Sequence, residues 1–242
     1  MEQVFSFVDL SEQDHQFSTF KYSGNEIKNN ICICAVSPTS LALFSSIVEE
    51  LNPVGFFITT IHDIINPIDY ANGNEPSTKF IRSFRNEVYV INDMTIILYE
   101  KPNVCTKEAV NTIFDLVKPE KILVFTSLSN QEFKESIDIP KLFFLSNYTE
   151  SNLEQLEKLP SPHKIEHMPA GLLILGDIYK VNVCVYALVE DLTHPTIESM
   201  KLLLSSISNL IQWDTEITAK HALQIATARF ANNESYHHHS IE

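Results

Sequence analysis

Hydrophobic and polar residues along the chain first form a strand–helix–strand pattern. Ile31 to Val36 is a continuous apolar run, which is typical of a strand buried on both faces. Ser37-Pro38 follows as a helix-start signal, and the apolar spacing from Leu41 predicts a helix that ends near Leu51. Val54 to Ile61 is rich in β-branched and aromatic residues and predicts the next strand. This order is the β–α–β unit of a parallel sheet.

A hairpin and a series of helices and strands follow this opening unit. Glu87 to Ile91 and Met94 to Tyr99 flank Asn92-Asp93, two residue types that tolerate the positive φ of a tight turn. Thr106 starts the clearest helix, in which apolar residues recur at i, i+3, i+4 and i+7 from Val110. The remaining predictions are strands at Lys121–Thr126, Leu142–Leu145 and Val181–Leu188, and helices at Ser151–Leu159, Ala170–Lys180, Pro195–Ser208 and Thr215–Phe230.

The pattern predicts one α/β domain between two terminal segments. We expect a single three-layer α/β/α sandwich with a mostly parallel central sheet and one β-hairpin. Residues 1–30 lack a clear period and are predicted to form an irregular N-terminal arm, residues 31–230 form the single domain, and the polar residues 231–242 form a flexible C-terminal tail.

Composition and charge narrow the classes of function. The chain has 17 Lys plus Arg against 31 Asp plus Glu, a net charge of −14, which disfavours binding to nucleic acid. No run approaches the roughly 20 apolar residues of a membrane span, so we expect no membrane association. The 4 cysteines are too few for a disulfide framework and predict reduced thiols, so we expect a cytoplasmic protein that can also occur in the nucleus.

Two patterns suggest metal binding, and neither has the context that a metal site requires. His163-Lys164-Ile165-Glu166-His167 matches the His-x-x-Glu-His pattern of inverted zinc proteases, but Pro162 and Pro169 leave room for only a turn or two of helix. Cys32 and Cys34 point to the same face of a predicted strand, yet no second cysteine pair completes a site. We therefore predict no metal and no cofactor.

Polar residues at the ends of predicted strands leave open a small α/β hydrolase or a nucleoside-phosphorylase-like enzyme. Open α/β sheets bind ligands at this edge, and the residues concerned are His62, Asp63, Ser127, Glu190, Asp191 and His194. There is no Gly-x-Ser-x-Gly elbow, and the 5 glycines do not cluster into a phosphate loop. We predict that the protein is not an enzyme and has no catalytic residue.

Several segments, taken in order, resemble a known family. Met168-Pro169-Ala170-Gly171-Leu172-Leu173 resembles the helix start of the proteasome assembly chaperone 1 family, and Ile178-Tyr179-Lys180-Val181-Asn182-Val183 is similar to its entry into a core strand. Tyr186 to Asp191, Thr196 to Leu203 and Leu41 to Ser46 look like other segments of the family. The likeness covers about Ile31 to Leu210.

The resemblance implies a non-catalytic chaperone. Members of the family pair with a related second subunit, and the heterodimer binds proteasome α-subunits and promotes assembly of the core-particle α-ring. Members often end in hydrophobic–Tyr–any, whereas this chain ends Ser240-Ile241-Glu242. Tyr236, Ile241 and Glu242 are the partner-binding residues that the resemblance suggests, with tail insertion weakened by the missing motif. A scaffold protein with an unrelated partner is a third alternative.

Overall fold

The computed structural model describes residues 3–5, 16–64, 78–100, 106–132, 138–149, 153, 156–193, 195–208, 210 and 214–238. The strands are β1 Gln3–Phe5, β2 Gln16–Gly24, β3 Ile31–Ala35, β4 Gly55–Ile64, β5 Thr78–Ile91, β6 Met94–Leu98, β7 Lys121–Ser129, β8 Lys141–Ser146, β9 Glu157–Lys158 and β10 Asn182–Glu190. The helices are α1 Pro38–Val48, α2 Thr106–Val117, α3 His167–Tyr179, α4 Ile197–Ser206 and α5 Thr215–His238, with a short 3₁₀ turn at Asn130–Glu132.

Within the described residues, the strands form one mixed sheet of ten strands. Their order is β1-β2-β4-β5-β6-β3-β7-β10-β8-β9. The pairs β6–β3, β3–β7, β7–β10 and β8–β9 are parallel. The other five pairs, β1–β2, β2–β4, β4–β5, β5–β6 and β10–β8, are antiparallel. The prediction of a mostly parallel sheet with one hairpin is therefore wrong, because antiparallel pairs predominate and three of them join strands that are consecutive along the chain.

The physical reason for the error is the position of β4. The helix after β3 does not return the chain to a parallel neighbour, since β4 pairs antiparallel with β2 on one side and with β5 on the other. From Gly55 to Ile61 buried and half-buried side chains alternate along β4, as expected for a strand with one covered face. Only the central strands, such as β3 and β10, are buried along nearly their whole length.

Two hydrophobic layers hold the helices on opposite faces of the sheet. One layer joins α1, α4 and α5 to the sheet through buried residues such as Phe44, Met200 and Ala222. The other joins α2 and α3 to the opposite face through residues such as Ile113 and Leu172. Helices thus cover both faces of the central strands.

Several element predictions agree with the structure and others do not. The hairpin turn lies at Asn92, whose φ is 51°, between β5 and β6. The irregular arm predicted for residues 1–30 is wrong over β2, which lies in the sheet beside β4. The helix predicted from Ser151 is wrong at Glu157–Lys158, which is the edge strand β9. The last helix continues to His238, past the predicted end at Phe230.

Candidate functional site

The carboxyl ends of three parallel strands bring two of the predicted strand-end residues together. β3, β7 and β10 are neighbours in the sheet, so their ends meet at one edge. Ser127 lies near the end of β7, and Glu190 is the last residue of β10. The Ser127 hydroxyl donates a hydrogen bond of 2.6 Å to Glu190 Oε1.

The start of α1 adds further hydroxyl groups to this pair. Ser37 caps the helix in a reciprocal arrangement with Ser40, which explains why the helix begins directly after β3. Thr39, in the first turn, donates a second 2.6 Å hydrogen bond to Glu190 Oε1. The Ser127 hydroxyl also lies 3.0 Å from Ser37 Oγ. We call these five residues, Ser37, Thr39, Ser40, Ser127 and Glu190, the Glu190 cluster.

Glu190 is deeply buried for an acidic residue. Its exposed fraction is 2%, and within the described part of the chain Oε2 has no partner with good hydrogen-bond geometry. Burial raises the pKa of Glu190 above its ordinary value, while the hydroxyls of Ser127, Thr39 and Ser199 act to lower it. The nearby negative charge of Asp191 adds to the increase in pKa. Burial is the largest of these effects, so the net change is an increase in the pKa of Glu190.

The chemistry available to the Glu190 cluster is limited by its burial. A serine hydroxyl bonded to a carboxylate is the first part of a nucleophile–base pair. Here one carboxylate oxygen accepts from two hydroxyls at once, and the whole carboxyl group is enclosed. The cluster connects β7, β10 and the start of α1, and Ser199 brings in α4. This arrangement is suited to holding four elements together at the edge of the sheet.

Two other residues of the enzyme alternative, His62 and Asp63, lie far from the Glu190 cluster. His62 and Asp63 lie on β4, and three strands separate β4 from β7. At about 4.8 Å for each strand spacing, this separation is about 19 Å. Asp191 accepts hydrogen bonds from the backbone and the hydroxyl of Thr193. His194 lies outside the described residues.

The two metal-like patterns occupy different settings. His163 lies in the turn before α3, whereas His167 is the first residue of α3, so the two histidines do not share a helix. The Nε2 atom of His167 lies 3.9 Å from Glu166 Oε2. Cys32 and Cys34 are fully buried on β3, with their sulfur atoms 3.8 Å apart. The hydrogen bond with Cys34 and burial raise the pKa of Cys32 well above its ordinary value. In the part of the chain that the structure describes, no three His, Cys, Asp or Glu side chains are grouped so as to hold a metal ion.

The predicted partner-binding residues lie at the end of the chain. Tyr236 is in the last part of α5, and its side chain is not among those described. Ile241 and Glu242 lie outside the described residues. Their role therefore stays a prediction.

Sequence analysis missed three members of the Glu190 cluster. Ser37 was recognised only as part of a helix-start signal, and Thr39 and Ser40 were not singled out. The signal that could have found them is the set of three hydroxyl residues directly after a buried strand. Such residues lie at the same sheet edge as the ends of the neighbouring parallel strands.

Comparison with known proteins defines the fold class. No protein-family model matches the chain, and no curated protein matches it. Among solved structures, PbaA of Pyrococcus furiosus, an archaeal homologue of proteasome-assembly chaperone, is similar at a TM-score of 0.61 and 15% identity, over 89% of this chain and 96% of PbaA. PbaB of the same organism, an archaeal proteasome activator, gives a TM-score of 0.52 and 9% identity over 92% of this chain and 100% of PbaB.

A bacterial structure has the same fold. A proteasome-assembly chaperone homologue of Mycobacterium tuberculosis is similar at a TM-score of 0.53 and 7% identity, over 82% of this chain and 93% of the other. The chain therefore shares its fold with homologues of proteasome assembly chaperones, which confirms the resemblance at the level of fold. Within the described residues, no helix combines the length and the apolar character needed to cross a membrane.

Proposed function

We propose that this protein is a non-catalytic chaperone subunit of proteasome assembly. It forms a heterodimer with a related second subunit, binds proteasome α-subunits and promotes assembly of the α-ring. The observation that carries the proposal is the likeness of the fold to PbaA along nearly the whole length of both chains. The order of matching segments from Leu41 to Leu203 supports it independently.

The Glu190 cluster supports a binding role over an enzymatic one. A general base must take a proton from its nucleophile and be accessible to a substrate. Glu190 is 2% exposed and bonded to two hydroxyls. We infer that the cluster stabilises the sheet edge and that the protein acts through its surface, in the cytoplasm and the nucleus.

The end of the chain is a second element of the proposal. α5 extends to His238, so the last residues follow directly from a helix. We propose that Ile241 and Glu242 contribute to contact with α-subunits, together with Tyr236 on the helix.

Native mass determination tests the proposal with the full chain. The chain is measured alone, with the second chaperone subunit, and then with α-subunits added. The proposal requires a 1:1 heterodimer that captures α-subunits. A chain that ignores both partners would contradict it.

A pair of tail variants tests the contribution of the last residues. Deleting residues 239–242 leaves α5 intact and should weaken α-subunit capture several-fold, and Ile241→Asp keeps the length and should have a similar effect. Equal capture by the full chain and both variants would remove the tail from the proposal and leave the heterodimer untouched.

A further inference from the structure

One surface of α3 carries large apolar side chains that the described part of the chain leaves exposed. Ile174 is 62% exposed, Ile178 is 64% exposed and Tyr179 is 54% exposed. Ile174 and Ile178 are four residues apart and therefore lie on one side of the helix. Exposed apolar residues gathered on one helix indicate a contact surface for another protein.

Along one line of this helix, a small, half-buried residue precedes the two large, exposed ones. At helical spacing, Ala170 precedes Ile174 by four residues and Ile178 follows it by four, so all three lie along one line. We call Ala170, Ile174 and Ile178 the α3 stripe. Tyr179 lies off this line, and the centre of its ring is 5.1 Å from the centre of the Phe114 ring in α2.

Opposite charges lie at the two ends of the stripe. Glu166, which precedes the first helical residue, has a side chain that is 69% exposed. Lys180, which follows the last helical residue, has a side chain that is 83% exposed, and its Nζ lies 4.0 Å from Asp177 Oδ1. An exposed pair at that distance contributes little to the stability of the monomer, so Lys180 is able to exchange partners.

The α3 stripe and the two charges would match those of a second copy of the helix, if the two helices ran antiparallel about a two-fold axis. With the axis at Ile174, the small Ala170 of one copy faces the large Ile178 of the other, and Ile174 faces Ile174. Lys180 of each copy then lies beside the end of the other helix that carries Glu166. A two-fold contact uses each such pair twice.

We propose that a second copy of this chain docks on the α3 stripe to form an antiparallel two-fold dimer. This inference does not rest on the proposed function, because it requires neither a second chaperone subunit nor α-subunits. A single helix pair buries less than the roughly 1,200 Å² of a standard interface, so the dimer is weak, with Kd on the order of 10 μM.

Sedimentation equilibrium of the full purified chain tests the proposal. Measured from about 1 μM to about 300 μM, the wild type should pass from monomer to dimer. Ile174→Asp should raise Kd at least tenfold, because it places two buried carboxylates at the two-fold axis. The matched control is Ile217→Asp, since Ile217 is 67% exposed on α5, on the opposite face of the sheet, and should leave Kd unchanged.

A charge exchange tests the orientation of the two helices. Glu166→Lys and Lys180→Glu should each weaken the dimer several-fold, and the double variant should restore the wild-type Kd. Circular dichroism confirms that each variant is folded. A wild type that stays monomeric at the highest concentration overturns the proposal. It is also overturned if Ile217→Asp raises Kd as much as Ile174→Asp does, or if the double variant has a Kd as high as those of the single variants. A monomer whose α3 stripe is required only for binding the second chaperone subunit also overturns it.

Discussion

Substitution of Glu190 is the perturbation whose effect follows most directly from the structure. Glu190→Gln keeps the side-chain shape and an oxygen that accepts from Thr39 and Ser127, but it removes the buried charge. Glu190→Ala removes the acceptor altogether. The two variants therefore separate the effect of ionisation from the effect of the hydrogen bonds.

The direction of the pH dependence follows from the raised pKa of Glu190. The unfolded chain releases this proton near the ordinary value of 4.5, and the folded chain releases it at higher pH because burial disfavours the charge. Between these two values the folded state binds more protons than the unfolded state. The free energy of unfolding contributed by Glu190 is thus fully present below pH 4.5 and is lost as pH rises through the folded pKa.

The size of the alanine effect can be worked out from the contacts. Without the carboxyl group, Ser127 still has Ser37 Oγ at 3.0 Å, whereas the buried Thr39 hydroxyl loses the only acceptor that is described for it. A buried donor left without a partner costs about 1–3 kcal/mol. Relief of the buried charge offsets part of this cost above the folded pKa. We expect Glu190→Ala to lower the free energy of unfolding by about 1–3 kcal/mol, with the larger loss at low pH.

Urea unfolding at a series of pH values measures both effects. As pH rises from 4.5, the free energy of unfolding of the wild type should fall relative to that of Glu190→Gln. Above the folded pKa, the difference between the two free energies should stay constant. The difference between the two proteins isolates Glu190 from every other group that titrates. Parallel curves over the whole series, or a wild type that gains stability against Glu190→Gln in this window, would refute the reasoning.

Two packing substitutions give further predictions, both measured by urea unfolding. Gly176→Ala would place Cβ against Val183 Cγ2 and 3.2 Å from a backbone oxygen, so we expect a loss of about 1–3 kcal/mol despite the better helix propensity. Gly171→Ala is its matched control, because its Cβ meets only the end of a side chain at 3.1 Å, and an equal loss would contradict the argument. Phe44→Ala, at a fully buried position, should cost about 3–5 kcal/mol, and a cost below about 1 kcal/mol would contradict the assignment of Phe44 to the core.

The central elements could be predicted because their signals are local. The apolar run of β3 and the Ser37-Pro38 signal identify a buried strand and the helix after it, and the structure has the expected cap on α1. The turn at Asn92 is another local signal, since few residue types adopt its positive φ. Such features depend on neighbouring residues and not on where the strand lies in the sheet.

The order of the strands could not be predicted, because it depends on contacts between distant segments. β2 shows alternation, with Phe20 and Tyr22 buried on either side of the half-buried Lys21, but it lies in a segment rich in polar residues. Its partner β4 follows more than thirty residues later, and the antiparallel direction of the pair is defined only when these two distant segments meet in the sheet. The same holds for the Glu190 cluster. Ser127 and Glu190 were predicted at strand ends, whereas Thr39 joins them only through the fold.

Assembly of α-subunits is the most direct test of the proposed function. Purified α-subunits are incubated alone, with the chain, and with the chain plus the second chaperone subunit, and ring formation is followed by native gel and electron microscopy. The proposal predicts that rings form faster and with fewer off-pathway aggregates when both subunits are present, and that the gain rises with their amount until they are stoichiometric. Equal rates and yields in all three incubations would contradict it.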